Sequence, residues 1–325
     1  MSSPAKIPLC QLPTPLHRLD RVSKDLGIDL WIKRDDLTGF ALGGNKGRKL
    51  EYLMQAVVDS GADTVVSCGA TQSNFIRQLG AACAVSGVRC VVACMNSPYE
   101  TPDRIVHGAS EGGNPDLDSW FGIERHLLPD GTWEEMDEQA RALADRESTA
   151  GHTVYYIPVG GSVPLGALGF YDAGVEFKNQ ADQDFNFIIT ASSSGSTQVG
   201  LASAFAGTNT QVIGIACDPD PEVVTDLVTL STEFAEQFGL APSLGYSQFD
   251  FRLDYVGPGY GVPGEATLEA MRYLARTEGI VLDPVYSGKA FSGLIDLART
   301  NQISGRVAFW HTGGTPAIFA KSPTN

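Results

Sequence analysis

Positive charge is scarce in this chain. Its 325 residues carry 23 lysines and arginines against 38 aspartates and glutamates, a formal net charge of −15. Clustered basic side chains are what grip a phosphate backbone, so no nucleic-acid partner is expected. Paired cysteines are missing as well. The six cysteines include no C-x-x-C pair and mostly sit in apolar runs, which reads as buried, reduced thiols. The five histidines lack the spacing of a zinc site, so no metal is expected. No apolar run approaches the ~20 residues of a membrane helix. The opening stretch Met1–Cys10 has no apolar core of secretory-signal length. These absences predict a cytoplasmic protein that engages neither a membrane nor a nucleic acid.

Glycine, by contrast, is plentiful at 36 residues, which suits many tight turns between strands and helices. Strand-like runs fall at Leu30–Lys33, Thr64–Ser67, Arg89–Cys94, Val154–Ile157, Phe185–Thr190, Gln211–Ala216 and Arg306–Trp310. Helical patterns fall between them, at Phe75–Val85, Pro102–Ser110, Trp133–Ala144, Pro164–Phe177, Gln198–Phe205, Pro221–Phe238, Gly264–Glu278 and Gly288–Thr300. The stretch Gly112–Gly131 reads as a long irregular connection. Alternating β and α elements predict an α/β fold of open, mostly parallel sheets covered by helices. In such sheets ligands sit beyond the carboxyl ends of the strands.

Four turns at those ends carry chemistry. Gly43-Gly44-Asn45-Lys46-Gly47-Arg48-Lys49 sets a lysine in a glycine-rich turn before an apolar-periodic run. A lysine shielded there has a lowered pKa and attacks a carbonyl as the free amine, and pyridoxal phosphate is the commonest aldehyde held in this way. Thr71-Gln72-Ser73-Asn74 opens a helix, either as a carboxylate site or as plain caps. Ser193-Ser194-Gly195-Ser196-Thr197 forms a phosphate nest or a serine-rich N-cap. His311-Thr312-Gly313-Gly314 puts a hydroxyl where it can meet the edge of a nitrogen heterocycle, although such a turn needs only glycine. Tyr260 and Tyr286 lie in glycine-containing loops, where a tyrosine stacks on a ring, positions a proton, or simply packs.

Taken in order, Leu12–Leu16, Trp31–Asp36, Gly43–Glu51, Gly69–Asn74, Asp283–Tyr286 and His311–Gly314 resemble the fold type II pyridoxal-phosphate enzymes, the group with tryptophan synthase β-subunit architecture. Within that group the chain looks most like the branch of D-cysteine desulfhydrase and 1-aminocyclopropane-1-carboxylate deaminase. The resemblance implies two open twisted sheets, with a small domain of residues 50–160 inserted into a large domain of 1–49 and 161–325, and a homodimer. It implies pyridoxal 5'-phosphate as cofactor, with Lys46 as the Schiff-base lysine. Lys49 and the Ser194, Gly195, Ser196, Thr197 loop would hold the phosphate, Asn74 the pyridoxal 3-oxygen, and Thr312 the pyridine nitrogen. Ser73, Asn74 and the Phe75 backbone would take the substrate carboxylate, with Tyr260 and Tyr286 flanking the substrate. Lys46, Ser73, Tyr260 and Tyr286 would be the catalytic set.

The implied reaction is α,β-elimination from a small amino acid, D-cysteine or a close analogue, to pyruvate, ammonia and sulfide. An L-cysteate sulfo-lyase or the cyclopropane deaminase is the alternative. Two positions depart from the branch. Ser287 stands where the deaminase has a glutamate, which favours elimination over ring opening. Phe75 stands where His or Gln is commoner, which leaves the substrate open.

Overall fold

A computed structural model describes residues 4–321 other than 102 and 104. In chain order the elements are β1 (Leu16–Arg18), α1 (Asp20–Leu26), β2 (Asp29–Arg34), α2 (Lys46–Asp59), β3 (Thr64–Ala70), α3 (Asn74–Ser86), β4 (Arg89–Met95), α4 (Asn114–Trp120), β5 (Glu124–Leu127) and α5 (Trp133–Thr149). They continue with β6 (Val154–Tyr156), α6 (Pro164–Gln180), β7 (Phe187–Ser192), α7 (Ser196–Ala204), β8 (Gln211–Ala216), α8 (Val223–Phe238), β9 (Asp250–Arg252), α9 (Glu265–Glu278), α10 (Ser287–Arg299) and β10 (Arg306–His311).

Two sheets organise them. A six-stranded sheet runs β1-β2-β10-β7-β8-β9, and a four-stranded sheet runs β5-β4-β3-β6. Within the two sheets every described strand pairing is parallel except β1 on β2. Parallel strands covered on both faces must be apolar on both faces. Strand β10 shows how: Val307 and Phe309 pack with α1, α9 and α10, while Ala308 and Trp310 pack with α6, α7 and α8. In the smaller sheet Val65 and Val92 face α2 and α3, and Val66 and Val91 face α5.

Two expectations need correction. Gly112–Gly131 is not an irregular connection, because it contains α4 and β5. Helix α4 turns Asn114 and Asp118 inward, so it shows no apolar periodicity. Strand β5, Glu-Arg-His-Leu, is a mostly exposed edge paired to β4 through Val91↔Glu124, and it lacks the alternation that marks a half-buried strand. The helix expected at Pro102–Ser110 is not there over residues 105–110, and residues 102 and 104 lie outside the described residues. The short elements β1, α1 and β9 were not anticipated. No helix among the described residues is long and apolar enough to cross a membrane.

Candidate active site

The Lys46 turn is built on a rigid base. Asp35 is fully buried and accepts from Arg48 Nε and Nη2 and from Trp310 Nε1, each at 2.8 Å. These contacts hold the first turn of α2 against the six-stranded sheet. Gly43 has φ of 74°, and a Cβ there would lie 1.9 Å from the Asp36 carbonyl oxygen, so only glycine passes. Asn45 then joins three turns. Its Nδ2 donates to Thr197 Oγ1 at 3.1 Å, and its backbone N–H donates to the Thr312 carbonyl at 2.9 Å.

Two lysine amines meet inside this junction. Lys46 Nζ and Lys49 Nζ face each other, and neither forms a salt bridge among the described residues. Burial pushes the Lys46 amine down to about 8. Burial, with the neighbouring Lys46 charge, pulls Lys49 well below the ordinary lysine range. Lys49 Nζ donates to Ser196 Oγ at 2.7 Å. Gly195, at φ of 97°, opens α7, and the loop is pinned from behind by Ser162. The Ser162 hydroxyl donates to the Ser194 carbonyl and accepts the Ser196 N–H at 3.1 Å.

On the other side, Asn74 opens α3. Its Oδ1 accepts from Arg77 Nη1 at 2.8 Å and from Asn114 Nδ2 at 3.0 Å. Ser73 is the N-cap, accepting from the backbone N–H groups of Phe75 and Ile76 at 3.2 and 3.3 Å. The Phe75 ring is 1% exposed and belongs to the core beneath the turn.

Tyr260 and Tyr286 share a hydroxyl–hydroxyl hydrogen bond of 2.5 Å. Burial raises both phenol pKa values, so each keeps its proton. Lys289, itself buried, ties the Tyr260 loop to the end of β8 by donating to the Gly259 carbonyl at 2.7 Å and the Cys217 carbonyl at 3.1 Å. Ser287 is closed on Asp283, which takes its hydroxyl at 2.5 Å and its N–H at 2.7 Å.

Two cavities meet at Lys46. One is lined by Asn45, Lys46, Lys49, Asn74, Thr197 and Thr312, together with the Ser192–Gly195 loop and Tyr286. The other, of about 160 Å³, adds Ser73, Phe75, Trp133 and Tyr260, with Glu100, Asp218, Asp220 and Asp226. The structure thus brings together Lys46, Asn74, Ser194, Gly195, Thr197, Thr312 and Tyr286 in one cavity, and Ser73, Phe75 and Tyr260 in its neighbour. Ser196 lies behind the first, bonded to Lys49. Sequence reading missed Asn45, Ser162, Lys289 and the four acids. Asn45 adjoins the lysine and was within reach as a turn residue. The others act across thirty positions or more and leave no local signal.

A buried amine at a junction of strand ends, a serine-lined helix N-terminus and paired phenols define an enzyme that holds a phosphorylated aldehyde cofactor. The chain belongs to the pyridoxal-phosphate dependent enzyme family, whose model matches residues 7–313. It is 37% identical to the D-cysteine desulfhydrases of Salmonella newport (strain SL254) and Salmonella typhi, over 98% of this chain and 96% of theirs. A crystal structure described as an ACC deaminase homologue matches with a TM-score of 0.86 and 34% identity, over 97% of this chain and 93% of that one. The processed form of threonine deaminase isoform 2 from Solanum lycopersicum shares the fold, with a TM-score of 0.63 and 18% identity over 93% of this chain and 79% of that one.

Pyridoxal 5'-phosphate is therefore the cofactor, and the residues present fit it. Two buried amines face each other and neither is salt-bridged among the described residues, as a site built for an anion requires. Ser192 Oγ is buried at the same cavity without a partner. Asn74 Nδ2 and Thr312 Oγ1 also have no protein partner there among the described residues.

Proposed function

We propose that this chain is a D-cysteine desulfhydrase, releasing sulfide with pyruvate and ammonia. The observation that carries the reading is Lys46, whose amine stands at the junction of the two cavities and is held down to about 8 by burial. The similarity to the Salmonella desulfhydrases supports the substrate.

When bound, the cofactor supplies an electron sink for negative charge at the substrate Cα. The chain's residues divide the remaining work. Lys49, Ser194, Gly195, Ser196 and Thr197 hold the phosphate at the α7 N-terminus. Asn74 holds the 3-oxygen, and Thr312 offers the pyridine nitrogen a neutral hydroxyl. Ser73, Asn74 and the Phe75 backbone receive the substrate carboxylate at the α3 N-terminus. Lys46 takes the Cα proton. Tyr260 and Tyr286, keeping their protons at neutral pH, flank the β-substituent and hydrogen-bond the departing sulfur.

The acids of the second cavity separate the candidate substrates. Burial raises the pKa of Asp218, Glu100 and Asp226, but Asp220 adds negative charge beside them, and among the described residues Lys46 is the lone cation in the lining. A sulfonate there would meet like charge, at about 1–3 kcal/mol. Ser287, bonded to Asp283, offers no carboxylate at the cofactor ring, which supports elimination over cyclopropane opening. The test is a panel of D-cysteine, L-cysteine, L-cysteate and 1-aminocyclopropane-1-carboxylate, read as sulfide, pyruvate and 2-oxobutyrate. D-cysteine should exceed L-cysteate by about 10–100-fold in kcat/KM. Release of 2-oxobutyrate at a comparable rate would refute the reading.

The two sheets support a large domain of residues 1–49 and 161–325 with a small domain of 50–160 between. Exposed Leu127, Ile318 and Phe319 share one cavity wall and support a homodimer. Sedimentation equilibrium should give twice the chain mass of 34.6 kDa, and a monomer at micromolar concentration would exclude the dimer. The cytoplasm is the compartment that fits six free cysteines.

A further inference from the structure

Arg77 is a buried cation that no carboxylate among the described residues touches. It is 0% exposed and lies in the first turn of α3. A helix N-terminus already carries partial positive charge, so this place disfavours a cation twice, by burial and by the dipole. Its guanidinium contacts neutral acceptors only. Nη1 donates to Asn74 Oδ1 at 2.8 Å and to Asn114 Oδ1 at 2.6 Å, and Nη2 donates to the Gly43 carbonyl at 2.9 Å. Among the described residues Nε has no hydrogen-bond partner, and neither carboxylate oxygen of nearby buried Asp118 has one, its ion-pair contact being Arg125 Nη1 at 4.0 Å. Burial draws Arg77 down to about 10 and pushes Asp118 up to about 7, and no ion-pair contact joins the two among the described residues. A side chain retained at this cost suggests a purpose other than stability.

The purpose follows from hydrogen-bond chemistry. Arginine has donors and no acceptor, so Asn74 must turn its oxygen toward it. Asn114 Nδ2 donates to the same oxygen. Both contacts leave Asn74 Nδ2 facing the cavity shared with Lys46, Lys49 and Thr312. A cation bonded to the amide oxygen also polarises the amide and makes its N–H a stronger donor. The Gly43 contact fixes the same guanidinium to the turn that carries Lys46, and Gln78 Nε2 reinforces that carbonyl at 2.7 Å.

We propose that Arg77 is a positioning residue for the cofactor, presenting the Asn74 N–H, backed by a buried positive charge, to the anionic 3-oxygen of the pyridoxal ring. The proposal rests on the placement of that oxygen at Asn74 given above. It predicts that Arg77 matters only for a ring that carries the oxygen.

The experiment compares dissociation constants of pyridoxal 5'-phosphate and its 3-deoxy analogue for the wild-type apo-protein and for the variants Arg77→Met, Asn74→Ala and the double variant. A hydrogen bond to a charged group predicts a wild-type preference for the natural cofactor of about 10–100-fold. Arg77→Met should cut that preference by about tenfold and leave the analogue's affinity within about threefold. In the Asn74→Ala background Arg77→Met should add nothing to the preference. Equal loss for both ligands would make Arg77 a plain tie between α3 and the lysine turn and would overturn the proposal. If Asn74→Ala kept the full preference, the Asn74 assignment would fail and the proposal with it. Loss of discrimination in Asn74→Ala but not in Arg77→Met would sink the Arg77 proposal alone. Should Arg77→Met not fold, Asn114→Ala removes one of the two donors on Asn74. It should lower the preference in the same direction, and an unchanged preference there would overturn the proposal.

Discussion

Replacing Lys46 with alanine lowers kcat for sulfide release by at least about 10⁴-fold, the upper range for loss of a positioned acid–base group. The loss should exceed that for any other single residue because the proposed reading gives Lys46 two tasks, holding the cofactor carbonyl and moving the Cα proton. Its amine can do both near neutrality because burial lowers its pKa to about 8. The sign of the pH effect follows. A lowered pKa means the reactive free amine grows as pH rises toward 8 and saturates above it. The rate of cofactor uptake by the apo-protein should therefore climb up to about pH 8 and then level off, as stopped-flow absorbance can record. An ordinary lysine would keep gaining rate to about pH 10.4. Full activity in Lys46→Ala, or uptake still rising at pH 10, would count against this assignment.

Lys49→Met should weaken pyridoxal 5'-phosphate binding by about 100-fold and, in the same variant, stabilise the apo-protein. The two effects have one origin. In the apo-protein Lys49 is a buried amine facing a second amine, with no carboxylate near enough to bridge it. Exchange for an apolar chain of similar shape removes that penalty, worth about 1 kcal/mol or more, or roughly 1–2 °C in melting temperature for a chain of this length. With the cofactor present, the phosphate loses a charge-assisted hydrogen bond in a buried site. Unphosphorylated pyridoxal serves as control, since its affinity should barely change. Equal losses for pyridoxal and its phosphate would show that Lys49 supports the pocket without reading the phosphate.

Much of the architecture was legible in the sequence for a physical reason. Strands β3, β4, β7, β8 and β10 are buried on both faces, so each is a largely apolar run. Strands β5 and β9 are short edges that bury one face poorly or not at all, and no run marks them. Helix α4 buries polar Asn114 and Asp118, which periodicity treats as solvent-facing. In the site, the residue types at the strand ends pointed to Lys46, Asn74, Thr312 and the serine loop, and these line one cavity. The groups that orient them stayed hidden. Ser162 sits thirty-two positions from Ser194, Arg77 is thirty-four from Gly43, and Asp218 meets Trp133 across eighty-five. Such contacts exist only once the sheets are packed, and one sequence holds no local trace of them.

The central claim is that the Lys46 amine is the covalent anchor of the cofactor. Borohydride reduction of the cofactor-loaded protein, followed by proteolysis and mass mapping, tests it directly. The account predicts the pyridoxyl group on the peptide bearing Lys46. The label on Lys49 or Lys289, or no label with the cofactor demonstrably bound, would contradict it.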